Sequence, residues 1–252
     1  MNAKIMGILN VTPDSFFDGG KYANVDAALK QFGELKKYSD IVDIGAESTR
    51  PGATPVSAEE EIIRLEPILK SILPEKNIEI SIDTYHAKTA EFALKNGADI
   101  INSVDFDEET AKVVAKYGAK AVVMARDTGG KLENTVIALN NLINLAKKNG
   151  VEEKNIILDA GIGFIGGASA DLLALKNLPK LKEQYKDFPV LIGASRKSFI
   201  GKVLNIEKNE RMAGSLATHL YAAKNGADIV RAHDAKEMRE ALMIIDAIER
   251  TF

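Results

Sequence analysis

The sequence predicts a (β/α)8 TIM barrel with its site at the C-terminal ends of the strands, and three observations predict it. Eight short runs rich in β-branched residues alternate with stretches whose apolar positions recur at helical spacing. The runs are apolar throughout, as strands are when a parallel sheet is covered on both faces. A helix stop also recurs almost word for word, Asn-Gly at positions 96–97, 149–150 and 225–226, each shortly before a new run. Glycine accepts the left-handed backbone that ends a helix, so these copies mark helices feeding strands. Eight units in 252 residues suit a barrel; a doubly wound open sheet is the alternative.

Taken in order, the first run is "KIMGILNV", with Asn10 near its end and the turn-rich "TPDSFFDGG" after it. The second, "DIVDIG", carries Asp43 and gives way to Glu47-Ser48-Thr49-Arg50, then breaks on Pro51-Gly52. "EEEIIRLEPILKSI" reads as a solvated amphipathic helix, not an acidic metal site. "IEISID" ends in Asp83, and His86 after it reads as opening a helix in solvent. "DIINSV" holds Asn102, "KAVVMA" holds Met124, and "NIILDA" holds Asp159. "GFIGGAS", beginning with Gly163-Phe164, has the look of a phosphate cradle, a weak signal with two glycines before a helix. "PVLIGA" leads into Ser195-Arg196-Lys197, and His219 within "GSLATHLYAAKNG" reads as helix packing. "DIVRAH" brings Arg231, His233 and Asp234. No linker or composition shift divides the chain, so residues 1–252 read as one domain.

Composition limits the partners. A formal charge of -3 and a pI near 5.8 argue against a general nucleic-acid binder, so any anion site is local. With no cysteine there is no disulfide and no thiolate metal site. No apolar run approaches the roughly 18 residues of a membrane span, and the N-terminus turns polar too early for a signal peptide. The expectation is a cytoplasmic protein acting on small molecules.

In a barrel the C-terminal strand ends converge on one mouth, so polar residues from position 10 to position 234 would share one site. The competing reading makes each acid or hydroxyl a helix cap. That reading serves for any single residue, Asp14 for example, but not for seven of eight strands, some with the polar residue inside the apolar run, where an unpartnered charge is costly. Arg50, Lys197 and Arg231 are cations from strands two, seven and eight, and guanidinium groups match phosphate oxygens in paired hydrogen bonds. Lys197, preceded by Arg196 and flanked by serines, suits anion binding better than a Schiff base. Asp83, Asn102 and Asp159 come from the opposite side of the ring and suit a flat heterocycle with adjacent N–H groups. His233, beside Arg231, fits the anion side.

The segments "GILNVTPDSFFDGG", "DIGAESTRPGATPVS", "SIDT", "GADIIN", "ILDAGIGF", "GASRKSFIG" and "GADIVRAHD" resemble, in order and over nearly the whole chain, the signatures of the dihydropteroate synthase family. The resemblance implies an enzyme that joins 6-hydroxymethyl-7,8-dihydropterin diphosphate to p-aminobenzoate in folate synthesis, releasing diphosphate with Mg2+ present. By matched motif, Asn102, Asp159 and Lys197 would hold the pterin, and Arg50, Arg231 and His233 the diphosphate, with Asn10 on the metal. Asp83 and Lys197 would be catalytic, Asp83 by stabilising the cationic carbon as diphosphate leaves. Thr49, Pro51, Ser195 and Arg196 would line the aminobenzoate side, and Met124 and Phe164 also fall among the substrate contacts. The resemblance also implies a homodimer through the late helices. Departures from the family's usual pattern are Phe17, Ser103, Met124-Ala125, Ala160 and the missing lysine after Phe164. The alternatives are a pterin-binding barrel without coupling activity, or a methyltetrahydrofolate–corrinoid methyltransferase, which "INSV" resembles.

Overall fold

The computed structural model describes residues 3–11, 21–45 and 56–251. Its eight strands are β1 (Lys4–Asn10), β2 (Ile41–Gly45), β3 (Glu79–Asp83), β4 (Ile100–Ser103), β5 (Lys120–Met124), β6 (Ile156–Asp159), β7 (Val190–Ile192) and β8 (Ile229–Ala232). All neighbours pair in parallel, and β1 pairs with β8, closing the barrel. The helices are α1 (Lys21–Tyr38), α2 (Ala58–Ile72), α3 (Ala87–Lys95), α4 (Glu108–Tyr117), α5 (Leu132–Lys148), α6 (Ala168–Gln184), α7 (Ser198–Leu204), α8 (Met212–Lys224) and α9 (Ala235–Glu249). The expected alternation therefore holds with one addition: two helices, α7 and α8, stand between β7 and β8 where the sequence pattern suggested one. The recurring Asn-Gly stops end α3, α5 and α8, with positive φ at Gly97, Gly150 and Gly226. No helix among the described residues is long and apolar enough to cross a membrane.

Strand residues two apart share a face. Ile5, Leu9, Val42, Ile44, Ile80, Ile82, Ile101, Val123, Leu158, Ile192 and Val230 belong to the large core between strands and helices. The intervening Met6, Ile41, Ile100, Val122, Ile157, Leu191 and Ile229 form a separate cluster inside the barrel. One step further along this inward row come Asp43, Asn102, Met124, Asp159 and Arg231. The runs look uniformly apolar because both faces are buried, but the inward face turns polar at the C-terminal end of the strands.

At the opposite end one device appears three times. Asp40, ahead of β2, donates its N–H to Ile5 O and accepts the Ile5 N–H on its carboxylate, both at 2.8 Å. Asp99 does the same with Ile80 (2.9 and 2.8 Å), and Asp228 with Val190 (2.8 and 2.8 Å). Each carboxylate also meets a cation: Arg239 at 2.7 Å, Lys76 at 2.5 Å and Lys182 at 2.9 Å. These are the acids of "SDIVDIG", "GADII" and "GADIV". Replacing Asp99 by Ala removes the acceptor of the Ile80 N–H and the partner of Lys76. Stability is expected to fall by about 1–3 kcal/mol with turnover unchanged, as read by urea unfolding alongside a steady-state assay.

Candidate active site

The polar inward row meets in a charge network. Arg231 donates from Nε to Asp43 Oδ2 and from Nη2 to Asp83 Oδ2, both at 2.6 Å. Asn102 Nδ2 donates to the same Asp43 oxygen at 3.0 Å. Asp43 is fully buried, and the second oxygen of Asp43 and of Asp83 is buried without a hydrogen bond. Thr84, after β3, donates from its hydroxyl to Glu61 Oε2 at 2.7 Å. Burial pushes Asp83 up to about 7 against the pull of Arg231, with the nearby Asp43 and Glu61 carboxylates adding to the rise. Burial works against the charge of Arg231, but Asp43 and Asp83 outweigh it and hold the guanidinium above its ordinary value.

Glu61 corrects a sequence expectation: the helix read as solvated is α2, and its third glutamate is buried (1% exposed) beside the mouth. Asp43 is the other residue that sequence reasoning undervalued, noted at a strand end but given no role. Its signal was available, a carboxylate two residues after Ile41 on the inward face. His86, expected in solvent, is partly buried, with Nε2 3.0 Å from Val56 O.

On the β6–β7 side, Asp159 Oδ1 accepts the Gly161 N–H at 2.7 Å, and burial raises its pKa. Lys197 Nζ lies 4.2 Å from the centre of the Phe164 ring, a cation–π contact. Gly163, at φ 90°, makes room for it: a Cβ there would meet Lys197 Cδ at 2.7 Å and Nζ at 2.9 Å. Burial, helped by repulsion from Arg231, lowers the Lys197 ammonium to about 8 while Asp159, Asp171 and Asp83 pull the other way. Asp171, in the first turn of α6, is fully buried and accepts the Gly163 N–H at 2.7 Å. A carboxylate so placed does not suit a phosphate cradle, so "GFIGGAS" serves Lys197 and Phe164 instead.

Past β7, Ser195 Oγ stands 2.9 Å from His233 Nδ1 and accepts the His233 N–H at 3.2 Å. Arg196 makes a two-pronged pair with Asp234, at 3.2 Å from Nε and 2.5 Å from Nη2. Asn10 ends β1 half-buried, and Met124 is buried at the end of β5, paired in register with Asp159. Ser103, Ala125 and Ala160 are buried around these strand ends. Thr49, Arg50, Pro51 and Phe17 lie outside the described residues. The structure thus joins Asp83, Asn102 and Arg231 in one network and Lys197 with Phe164 in a second. It places Ser195, Arg196 and His233 together where β7 and β8 end.

Comparison with known proteins accords with this geometry. The family model described as pterin binding enzyme matches residues 6–233. A dihydropteroate synthase of Clostridium beijerinckii is 45% identical over 255 residues, covering 98% of this chain and 94% of that protein. One of Bacillus subtilis is 42% identical, covering 97% and 88%. Among solved structures, a dihydropteroate synthase from Clostridium difficile in the presence of pteroic acid superposes with TM-score 0.92 at 40% identity, covering 99% of this chain and 98% of that one. One from Xanthomonas albilineans with 7,8-dihydropteroate gives 0.90 at 32%, covering 100% and 95%. Agreement of this extent in sequence and in the barrel makes the chain a member of the pterin-binding enzyme family, among its dihydropteroate synthases.

Proposed function

We propose that this protein joins 6-hydroxymethyl-7,8-dihydropterin diphosphate to p-aminobenzoate in folate synthesis, releasing diphosphate. The observation that carries the reading is the inward row itself: Asp83, Asn102 and Asp159 on neighbouring sides of one mouth, with Lys197 held over Phe164 beside them. Asn102 and Asp159 offer an amide and a carboxylate to the ring N–H and carbonyl groups of a pterin. The C–O bond to diphosphate breaks with its electron pair leaving on the diphosphate, and the exocyclic methylene becomes cationic. Asp83, with one carboxylate oxygen uncommitted, supplies negative charge where that cation develops. The arylamine nitrogen then forms the new C–N bond and gives up a proton. Arg231 commits Nε and Nη2 to Asp43 and Asp83, which leaves Nη1 for diphosphate oxygen.

Mg2+ fits this site as a companion of the diphosphate. Among the described residues no group of three His, Asp or Glu could hold a metal ion, and Asn10 offers one neutral oxygen at the end of β1. Mg2+ is commonly held by few protein oxygens together with phosphate and water, and when bound it would offset the charge of the departing diphosphate. The test is diphosphate release measured with and without p-aminobenzoate, and again with EDTA. Release that requires both substrates and falls on chelation is expected. Release without p-aminobenzoate would mean hydrolysis, and none with both present would leave a binding barrel that does not couple.

A cytoplasmic homodimer completes the proposal. Of the eleven large apolar side chains exposed among the described residues, nine lie on α6 to α9, including Leu172, Leu173, Val203, Leu204, Met243 and Ile248. Apolar exposure concentrated on adjoining helices suits a partner surface, and a sedimentation mass of one chain at micromolar concentration would overturn the dimer.

A further inference from the structure

Ala194 follows β7 and is fully buried. Its N–H lies beyond the last strand residue, Ile192, and a buried orphan donor needs an acceptor. Helix α8 approaches it, but the main-chain carbonyls of a helix are committed to its own turns. The acceptor is a side chain: Ala194 N–H donates to His219 Nε2 at 3.0 Å. An imidazole nitrogen that accepts carries no proton, so this ring is neutral with its proton on Nδ1. His219 is 1% exposed, and burial lowers its pKa to about 4. Among the described residues the charge that faces it is the Asp234 carboxylate, which pulls upward but is itself paired with Arg196. His219 is therefore a fixed acceptor across the neutral range. The sequence reading of this residue as helix packing accounts for its burial but not for its bond.

His219 does not act alone. Arg211 precedes α8 by one residue, and Arg211, Ser215 and His219 recur every four residues, so they form one stripe. Ser215 Oγ accepts the Arg196 N–H at 2.8 Å and donates to Arg211 O at 2.7 Å. Arg211 Nη1 donates to Arg196 O at 3.2 Å and to Lys197 O at 3.5 Å. Between these contacts Arg196 stands at φ 55°, a left-handed conformation that disfavours any side chain and persists only where neighbours impose it. Beyond that turn the side chains part, Arg196 running to Asp234 and Lys197 to Phe164.

We propose that His219 is a positioning residue for the coupling reaction. Its neutral ring, with Ser215 and Arg211, fixes the backbone from Ala194 to Lys197 so that the lysine is presented over Phe164 to the pterin diphosphate. The proposal rests on the synthase reading for its kinetic consequence only, because the ring state and the amide bond can be measured without substrate. In 15N spectra of histidine-labelled protein at neutral pH, His219 is expected neutral, protonated on Nδ1 and bare on Nε2. His219→Leu removes the acceptor and is expected to speed amide exchange at Ala194 and lower kcat/KM for the pterin diphosphate by ~10–100-fold. His219→Gln, whose Oε1 can accept the same N–H, is expected to recover most of both. A ring protonated on Nε2, equal losses in the Leu and Gln variants, or unchanged exchange and kinetics in His219→Leu would each overturn the proposal. Should His219→Leu fail to fold, the wild-type ring state and the Gln variant still decide. Absence of coupling in the wild type, with ring and amide as expected, would count against the synthase reading instead.

Discussion

Replacing Arg231 by Met is expected to cost about 3–5 kcal/mol of stability and all measurable coupling activity. The guanidinium holds two carboxylates at 2.6 Å inside the barrel, with Arg231, Asp43 and Asp83 side chains 20%, 0% and 11% exposed. Removing the cation that, among the described residues, is paired with them leaves negative charge where water cannot solvate it, and the penalty is that of orphaned charge rather than of a lost salt bridge. A double variant separates the two. Arg231→Met combined with Asp43→Asn removes one of the stranded charges and is expected to regain part of the stability but no activity. A loss under about 1 kcal/mol for the single variant, in the range of an exposed pair, would show that the network does not hold the mouth together. The sequence alone gave Arg231 to diphosphate; in the structure its first task is neutralising Asp43 and Asp83.

Asp83→Asn is expected to lower kcat on the order of 100-fold with little change in pterin affinity, the pattern of a group acting mainly in the transition state. The pH profile is the sharper measurement. Burial places the Asp83 carboxyl at about 7 and the Lys197 ammonium at about 8. If the carboxylate and the ammonium are the working forms, kcat/KM of the wild type rises through about 7 and falls above about 8. The variant is expected to lose the lower limb and keep the upper. An unchanged lower limb would assign that ionisation to the substrate. Stability follows the same group with a definite sign. Its folded value lies above the ordinary 3.8, so between 3.8 and about 7 the folded chain holds a proton that the unfolded chain has released. The contribution is complete below 3.8 and is lost as pH rises through about 7, a slope that Asp83→Asn abolishes.

The barrel and the order of its site residues were legible in the sequence because their signals are local: β-branched runs, Asn-Gly stops, and a polar residue at seven of the eight strand ends. Partnerships were not. Arg231 meets Asp43 across 188 residues and Asp83 across 148, and only closure of the barrel brings them together. The same holds for Glu61, a charged residue in a helix that reads as amphipathic until Thr84 is folded against it. His219 looked like packing because the bond it accepts comes from a backbone amide 25 residues away, and an amide leaves no trace in residue type. The second helix before β8 escaped notice because α7 spans only 7 residues, too few for a periodic signal. Asp99 and Asp228 were visible in the repeated "GAD" but gave no hint of their use, since each grips the strand before it.

Those aspartates also bear on how the barrel assembles. Asp40 ties β1 to the start of β2, Asp99 ties β3 to the start of β4, and Asp228 ties β7 to the start of β8, across 35, 19 and 38 residues. Contacts of such short range close small loops at modest entropic cost, so each tie can form within one strand–helix–strand unit before the ring exists. Three quarters of the barrel thus carry a latch of their own. At the remaining pair, β5 and β6, the residue before β6 is Asn155, and its side chain reaches Gly118 O instead of taking up a strand N–H. The ring therefore contains three pre-latched strand–helix–strand pairs and one, β5 and β6, without the latch, and hydrogen exchange should find β5–β6 opening before the three latched pairs.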